Sequence, residues 1–241
     1  MDNALYAEDL AYIHDAGFSH HARGTAAGLL RVLSQGGLNN GRIVELGCGG
    51  GVTARHLTQA GYDVLGVDQS AELLRLARQR VPQAKFRRAS IFDFEIPTAA
   101  AVLSMGECLG YRPGRRGGTG PMMTVLKRAH RALPAGGMLI FDLVTPRVPA
   151  QATFIRQGDD WFLVSENTRE SAGAWLRRDI TTFRQVGRNY RRSFEQHHVQ
   201  LYDATLLADR LRRIGFAVRV RRSIDGYALA PGRALFLARK R

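Results

Sequence analysis

The stretch RIVELGCGGGVTARHLTQA, residues 42–60, constrains the chain more than any other. Residues 42–46, with Ile43, Val44 and Leu46 apolar, are short enough for a buried strand. Gly47, Gly49, Gly50 and Gly51 follow at once, and residues 52–60 carry a helical pattern. A strand running through a glycine-rich turn into a helix brings a helix N-terminus to the carboxyl edge of a sheet. That end has unpaired N–H groups and the positive end of the helix dipole. α/β proteins bind nucleotide-like ligands at this place. Gly47 permits the tight turn, Gly49 lets the backbone approach a ligand, and Gly51 lets the helix start pack closely.

The flanking chain repeats the alternation. Strands are expected at 63–67, 85–88, 99–104 and 138–143, and helices at 71–80 and 121–132. Strands alternating with helices imply a parallel sheet covered on both faces. Upstream, Tyr6, Leu10 and Ile13 fall at helical spacing, which predicts two helices over 3–16 and 22–34 with a break near Gly17. After Pro146 and Pro149 the period changes to two: DWFLVSEN, AWLRRDITTFRQV and NYRRSFEQHHVQLY read as three or four antiparallel strands. A helix returns at 204–214 with Gly215 placed to cap it, and strands at 216–221 and 234–238 close the pattern. RPGRRGGTG, residues 112–120, has the least apolar surface with which to order itself.

At 241 residues and 45% hydrophobic, the chain can bury one large core. Cys48 and Cys108 form neither a C-x-x-C pair nor a disulfide framework, so structural zinc is unsupported and a reducing cytoplasm is the expected setting. The opening MDNALYAEDLAY is acidic where a secretory leader is basic, and no apolar run approaches the roughly 18 residues of a spanning helix. The formal charge is +14, carried almost wholly by arginine: the lysines are Lys85, Lys127 and Lys240 alone. Residues 177–222 hold twelve arginines against four acidic residues. That balance suits a solvated surface or an anionic partner such as nucleic acid.

The glycine spacing separates two nucleotide-binding chemistries. A dinucleotide fingerprint wants G-x-G-x-x-G, and counted from Gly47 its third glycine falls on Val52. VLGVDQS then ends the second strand on Asp68, a carboxylate suited to the two hydroxyls of a ribose. Ser70 is the better cap for the next helix, which leaves Asp68 for that task. With Glu45-Leu46-Gly47-Cys48-Gly49-Gly50-Gly51, Val67-Asp68-Gln69-Ser70, Arg88-Ala89-Ser90-Ile91-Phe92-Asp93 and Leu133-Pro134-Ala135-Gly136-Gly137 in this order, the chain resembles the class I S-adenosylmethionine-dependent methyltransferases. The likeness is strongest over residues 38–145.

The resemblance implies a doubly wound, Rossmann-like seven-stranded sheet. Residues 1–37 would be a helical lid, 38–146 the cofactor core, 150–202 an antiparallel insert after the fifth strand, and 203–241 the closing helix and strands of one domain. It implies S-adenosylmethionine as cofactor. Glu45 and the Gly47 and Gly49 backbone would hold the methionine part, with Cys48 and Gly51 completing the cofactor-binding turn. Asp68 would take the ribose, and Gln69, Ser90 and Ile91 the adenine. Ser104 would lie under the sulfonium. The family often has aspartate where this chain has Ser90.

Methyl transfer from a sulfonium needs approach geometry and desolvation more than an invariant base. Where the acceptor is a protonated amine or a hydroxyl, a base helps. The candidates are Glu107, Tyr111, His14, His20, His197 and His198, of which Glu107, at a strand's carboxyl end, and His197, sharing a strand face with Glu195, are taken first. His20-His21 lacks a third ligand at metal-binding spacing, so no metal is expected. Tyr12, His14, Phe18 and Tyr111 are candidates to line the acceptor side. The insert resembles that of small-molecule methyltransferases such as sugar amine N-methyltransferases, which favours a small N or O acceptor. The competing reading is an RNA or protein methyltransferase that uses the arginine-rich insert. Against it, the fourth strand ends in SMGE, without the N/D/S-P-P-aromatic motif usual in base-amine methyltransferases.

Overall fold

The computed structural model describes residues 5–111, 120–170 and 174–241. The glycine- and arginine-rich stretch expected to order least lies almost wholly outside the described residues, as do Gly173 and the first residues of the predicted opening helix. Two helices open the chain, α1 (Glu8–Phe18) and α2 (His20–Gln35). The alternating core follows as β1 (Arg42–Leu46), α3 (Val52–Gln59), β2 (Asp63–Asp68), α4 (Ala71–Arg80), β3 (Lys85–Arg88), β4 (Ala101–Ser104), α5 (Gly120–Ala132) and β5 (Met138–Val144). The insert is β6 (Gln151–Gln157), β7 (Trp161–Glu170), β8 (Trp175–Val186) and β9 (Asn189–Gln200). Then come α6 (Ala204–Ile214), β10 (Phe216–Arg221), a hairpin of β11 (Ser223–Ile224) and β12 (Tyr227–Ala228), and β13 (Arg233–Lys240).

The main sheet has seven strands in the order β10-β13-β5-β4-β1-β2-β3. Its first five core strands run parallel, and β13 enters antiparallel between β5 and β10. Side chains alternate across it. Ile43 faces Leu29, Leu33 and Leu57 of α2 and α3, while Val44 faces Val125, Leu126 and Leu211 of α5 and α6. The Phe141 and Phe236 rings stack across the β5–β13 pair at 4.7 Å. Local signals agree with the fold: Ser70 and Asp203 cap α4 and α6 with their side chains, and Gly215 ends α6 at φ 115°.

Two local features differ from the sequence expectation. The break between the first helices falls at Ser19, and Gly17 stays helical. A Cβ on Gly17 would sit 2.5 Å from the Trp161 ring, so the glycine makes room for the insert instead of ending the helix. The β11–β12 hairpin, turned by Asp225-Gly226, was not among the expected elements, although that dipeptide favours a tight hairpin turn. It lies on α2 because Gly24 and Gly28 leave space for Tyr227 and Ile224.

The insert folds as one antiparallel sheet, β6-β7-β8-β9. Its inner face meets α1 through Leu10, Ile13, Trp161, Leu163 and Ile180. It therefore roofs the carboxyl ends of β1, β4 and β5, at the point where strand order reverses between β1 and β4. Among the described residues no helix is long and apolar enough to cross a membrane.

Candidate active site

Between the sheet edge, the opening helices and the insert lies a cavity of about 640 Å³. Its floor is the turn after β1. Gly47 has φ 76°, and a Cβ there would fall 2.3 Å from the Cys108 sulfur, so both conformation and space require glycine. Gly49, at φ 51°, has open space where its Cβ would be. The Cys48 thiol packs inward, and burial pushes it well up from its usual range.

Glu45 is almost wholly buried at the end of β1, and its Oε2 has no hydrogen-bond partner. Burial drives this carboxyl up to about 8, and Thr53 and the Ala54 N–H offset only part of that. An orphaned buried carboxyl beside bare backbone suits a ligand ammonium. Asp68 lies at the end of β2. Its Oδ2 accepts the Gly49 N–H and its Oδ1 the Ser70 N–H, each at 2.9 Å. It is thus fixed by the turn it faces, with lone pairs left for further donors. Gln69, Ser90 and Ile91 line the cavity beside it.

The other half of the cavity belongs to the insert and the opening helices. Leu163, Ser165, Asn167, Leu176, Arg178 and Ile180 reach it because β7 and β8 turn alternate residues inward. His14, Phe18 and Tyr111 line it as the sequence suggested, and burial lowers His14 to about 4. Glu107 also lines it, in the left-handed region at φ 61°. Arg178 grips its carboxylate with both terminal nitrogens, and Arg233 approaches to 3.3 Å. Burial opposes ionisation, but the two guanidiniums win and hold Glu107 at about 2. Asp142 lies beneath, wholly buried, accepting from the Gly106 and Glu107 N–H groups and from Arg233.

Four residues named from sequence do not reach the cavity. Tyr12 points away, its hydroxyl on Asp160 at 2.7 Å and its ring under Arg184. Ser104 is sealed in the sheet and donates to the Leu46 carbonyl. Gly51 caps α3 and packs on Ala77. His197 lies behind Tyr6 and Tyr111, bonded to Glu195. It shares the inward face of β9 with Glu195, but that face meets Tyr6 and Ala7, just ahead of α1, and Tyr111 instead of the cavity.

Sequence reading missed Arg178, Arg233, Asp142 and His21. Asp142 had a signal, as the lone charge in MLIFDLV. The arginines had none among so many others. His21 was weighed only as a metal ligand. It lines the cavity with a buried, unpartnered Nε2, 3.6 Å from Asp142 Oδ2. Among the described residues no group of three His, Cys, Asp or Glu side chains could hold a metal.

Comparison with known proteins gives the family of the chain. A family model described as a methyltransferase domain matches residues 18–220. A Bacillus subtilis protein named putative methyltransferase YqeM is 26% identical over 188 residues, 73% of each chain. The dTDP-3-amino-3,6-dideoxy-alpha-D-glucopyranose N,N-dimethyltransferase of Streptomyces fradiae is 25% identical over 178 residues, 69% of this chain and 68% of its own. The crystal structure of an S-adenosylmethionine-dependent methyltransferase from Clostridium acetobutylicum shares the fold, with a TM-score of 0.81 at 17% identity over 95% of this chain and 97% of its own. The chain belongs to the methyltransferase domain family and is a class I S-adenosylmethionine-dependent methyltransferase.

Proposed function

We propose that the protein methylates a small acceptor at nitrogen or oxygen, inside the cavity between the glycine turn and the insert. One observation carries this reading: one cavity joins Glu45, with its unpartnered Oε2, and the Asp68 turn to a mostly apolar compartment under the insert. A compartment of that kind suits a small molecule. Glu45 and the Gly47 and Gly49 backbone would hold the amino-acid end of the cofactor. Asp68 would take the ribose hydroxyls, and Gln69, Ser90 and Ile91 would border the adenine. When bound, the cofactor supplies an electrophilic methyl on a sulfonium, whose leaving group is neutral.

The chain's own residues then orient the acceptor, exclude water and take its proton. Glu107 is ill suited to the last task, because at about 2 it is a weak base already held by two guanidiniums. His21 suits it better. Burial lowers its imidazole, which favours the neutral form, and the Asp142 carboxylate opposes that shift and would stabilise the imidazolium formed on proton uptake. Arg233, Glu107, His20 and the Tyr227 ring are its other neighbours. The compartment offers little to a polyanion, since Arg178 and Arg233 are already committed to Glu107 and Asp142.

Less supports an RNA or protein acceptor. Of the insert arginines, Arg177, Arg178, Arg184 and Arg191 are paired with carboxylates of this chain, which leaves fewer for phosphates. Calorimetric titration with S-adenosylhomocysteine tests the cofactor half of the proposal. The unaltered protein is expected to bind, and Asp68→Ala to bind about 10–100-fold more weakly, as the loss of hydrogen bonds to a charged group implies. Equal affinity in the variant overturns the assignment of Asp68. A screen of amines and alcohols for methyl uptake tests the acceptor half, and methylation of RNA alone would refute it.

A further inference from the structure

Glu195 and His197 share the inward face of β9, yet neither lines the cavity. Their side chains meet the chain just ahead of α1. Glu195 Oε2 accepts the Tyr6 N–H and Oε1 the Ala7 N–H, each at 2.8 Å. His197 Nε2 lies 2.8 Å from Oε2. A carboxylate can only accept, so the imidazole carries a proton on Nε2. Its Nδ1 is buried without a partner. Three donors thus converge on one carboxylate from the insert.

The residue held in this way is strained and well placed. Tyr6 has φ 55°, the left-handed region that a bulky residue rarely adopts. Its carbonyl accepts from Ser70 Oγ at 2.8 Å, two residues beyond Asp68. Its hydroxyl is 3.2 Å from that of Tyr111, and its ring lines the cavity, edge-on to His14 at 4.9 Å. Tyr6 therefore spans the distance from the cofactor turn to the acceptor wall. Such a conformation persists only where its surroundings over-determine it. The docking of α1 has a separate fastening, since Asp9 pairs with Arg191, Arg184 and Ser193.

We infer that Glu195 is a positioning residue, which fastens residues 5–7 so that the Tyr6 ring closes the cavity over bound cofactor. The insert then governs cofactor retention as well as the shape of the acceptor site. The inference rests on the cofactor reading given above.

The test is the dissociation rate of S-adenosylhomocysteine, chased with excess S-adenosylmethionine and followed by tryptophan fluorescence. Glu195→Gln keeps one accepting oxygen and sets an amide NH₂ against the remaining donors. It is expected to speed dissociation roughly tenfold, as loss of a charge-assisted hydrogen bond implies. Asp9→Asn, which loosens α1 elsewhere, is expected to lower the melting temperature with dissociation within twofold of the unaltered protein. Dissociation from Glu195→Gln within twofold of the unaltered rate overturns the inference, and so does equal acceleration by Asp9→Asn. If Glu195→Gln does not fold, hydrogen exchange on the unaltered protein decides. Protected Tyr6 and Ala7 amides that are further protected by S-adenosylhomocysteine support the inference. Exchange there at unstructured-chain rates overturns it. Failure of the unaltered protein to bind S-adenosylhomocysteine removes the cofactor reading and this closure role with it, and exchange in Glu195→Gln still reports whether the carboxylate fastens the segment.

Discussion

Replacing Arg178 by methionine removes the guanidinium that grips Glu107. Burial alone would push the Glu107 carboxyl up, but Arg178 first and Arg233 second bring it from the ordinary 4.5 down to about 2. At about 1.4 kcal/mol per tenfold change in proton affinity, the net shift, burial included, amounts to about 3 kcal/mol in favour of the ionised carboxylate in the fold. The sign follows from the lowered value: the stabilisation is present above pH 4.5 and is lost as pH falls towards 2. In the variant Arg233 remains at 3.3 Å and carries part of the charge. The expected loss at pH 7.5 is therefore about 2–4 kcal/mol, the cost of breaking a buried pair. With its main partner gone, Glu107 takes up a proton at higher pH than before, and the penalty shrinks as the medium is acidified. Urea denaturation of both proteins at pH 7.5 and pH 5 reads the difference. Adding Glu107→Gln to Arg178→Met should recover more than half of the loss at pH 7.5. A penalty equal at both pH values, with no recovery in the double variant, would refute this account of the pair.

Two further outcomes follow from the buried groups of the cavity. Glu45, raised to about 8, favours the apo fold below pH 4.5 and loses that contribution as pH rises through 8. A ligand ammonium favours its ionised form, so S-adenosylhomocysteine binding near pH 7 should release a proton, and calorimetry in buffers of different ionisation enthalpy reads this. Glu45→Gln should abolish the release; its persistence would mean that another group titrates. His21→Gln should lower methyl transfer about 10²–10⁴-fold with any amine or alcohol found to be an acceptor, with cofactor affinity unchanged. An unaltered pH–rate profile in that variant would remove His21 from proton transfer.

Much of the fold was legible because its signals are local. The period of the apolar residues, the glycine turn and the caps at Ser70, Asp203 and Gly215 each act within a few positions, and α4, β3, α6 and β10 begin and end where the pattern placed them. The half of the cavity around the glycine turn was legible for the same reason. Glu45, Gly47, Gly49, Asp68 and Gln69 come from two strand–turn–helix units, whose geometry follows from their own sequence. Gly17 went against its usual reading because what it accommodates, Trp161, is far away along the chain.

The half of the cavity under the insert was decided by tertiary structure. Residue type and alternation placed Glu195 and His197 on one face of β9, but only the docking of the insert determined that this face would meet Tyr6 and Ala7. Glu107 could be marked as a charge at a strand end. What makes it a fixed carboxylate instead of a base is Arg178, 71 positions later, and Arg233, from the last strand. Ion pairs depend on distances of a few ångströms, and sequence separation carries no information about those. The chain by itself therefore determined a methyltransferase sheet and its glycine turn, and the folded insert decided which charges remain available in the cavity.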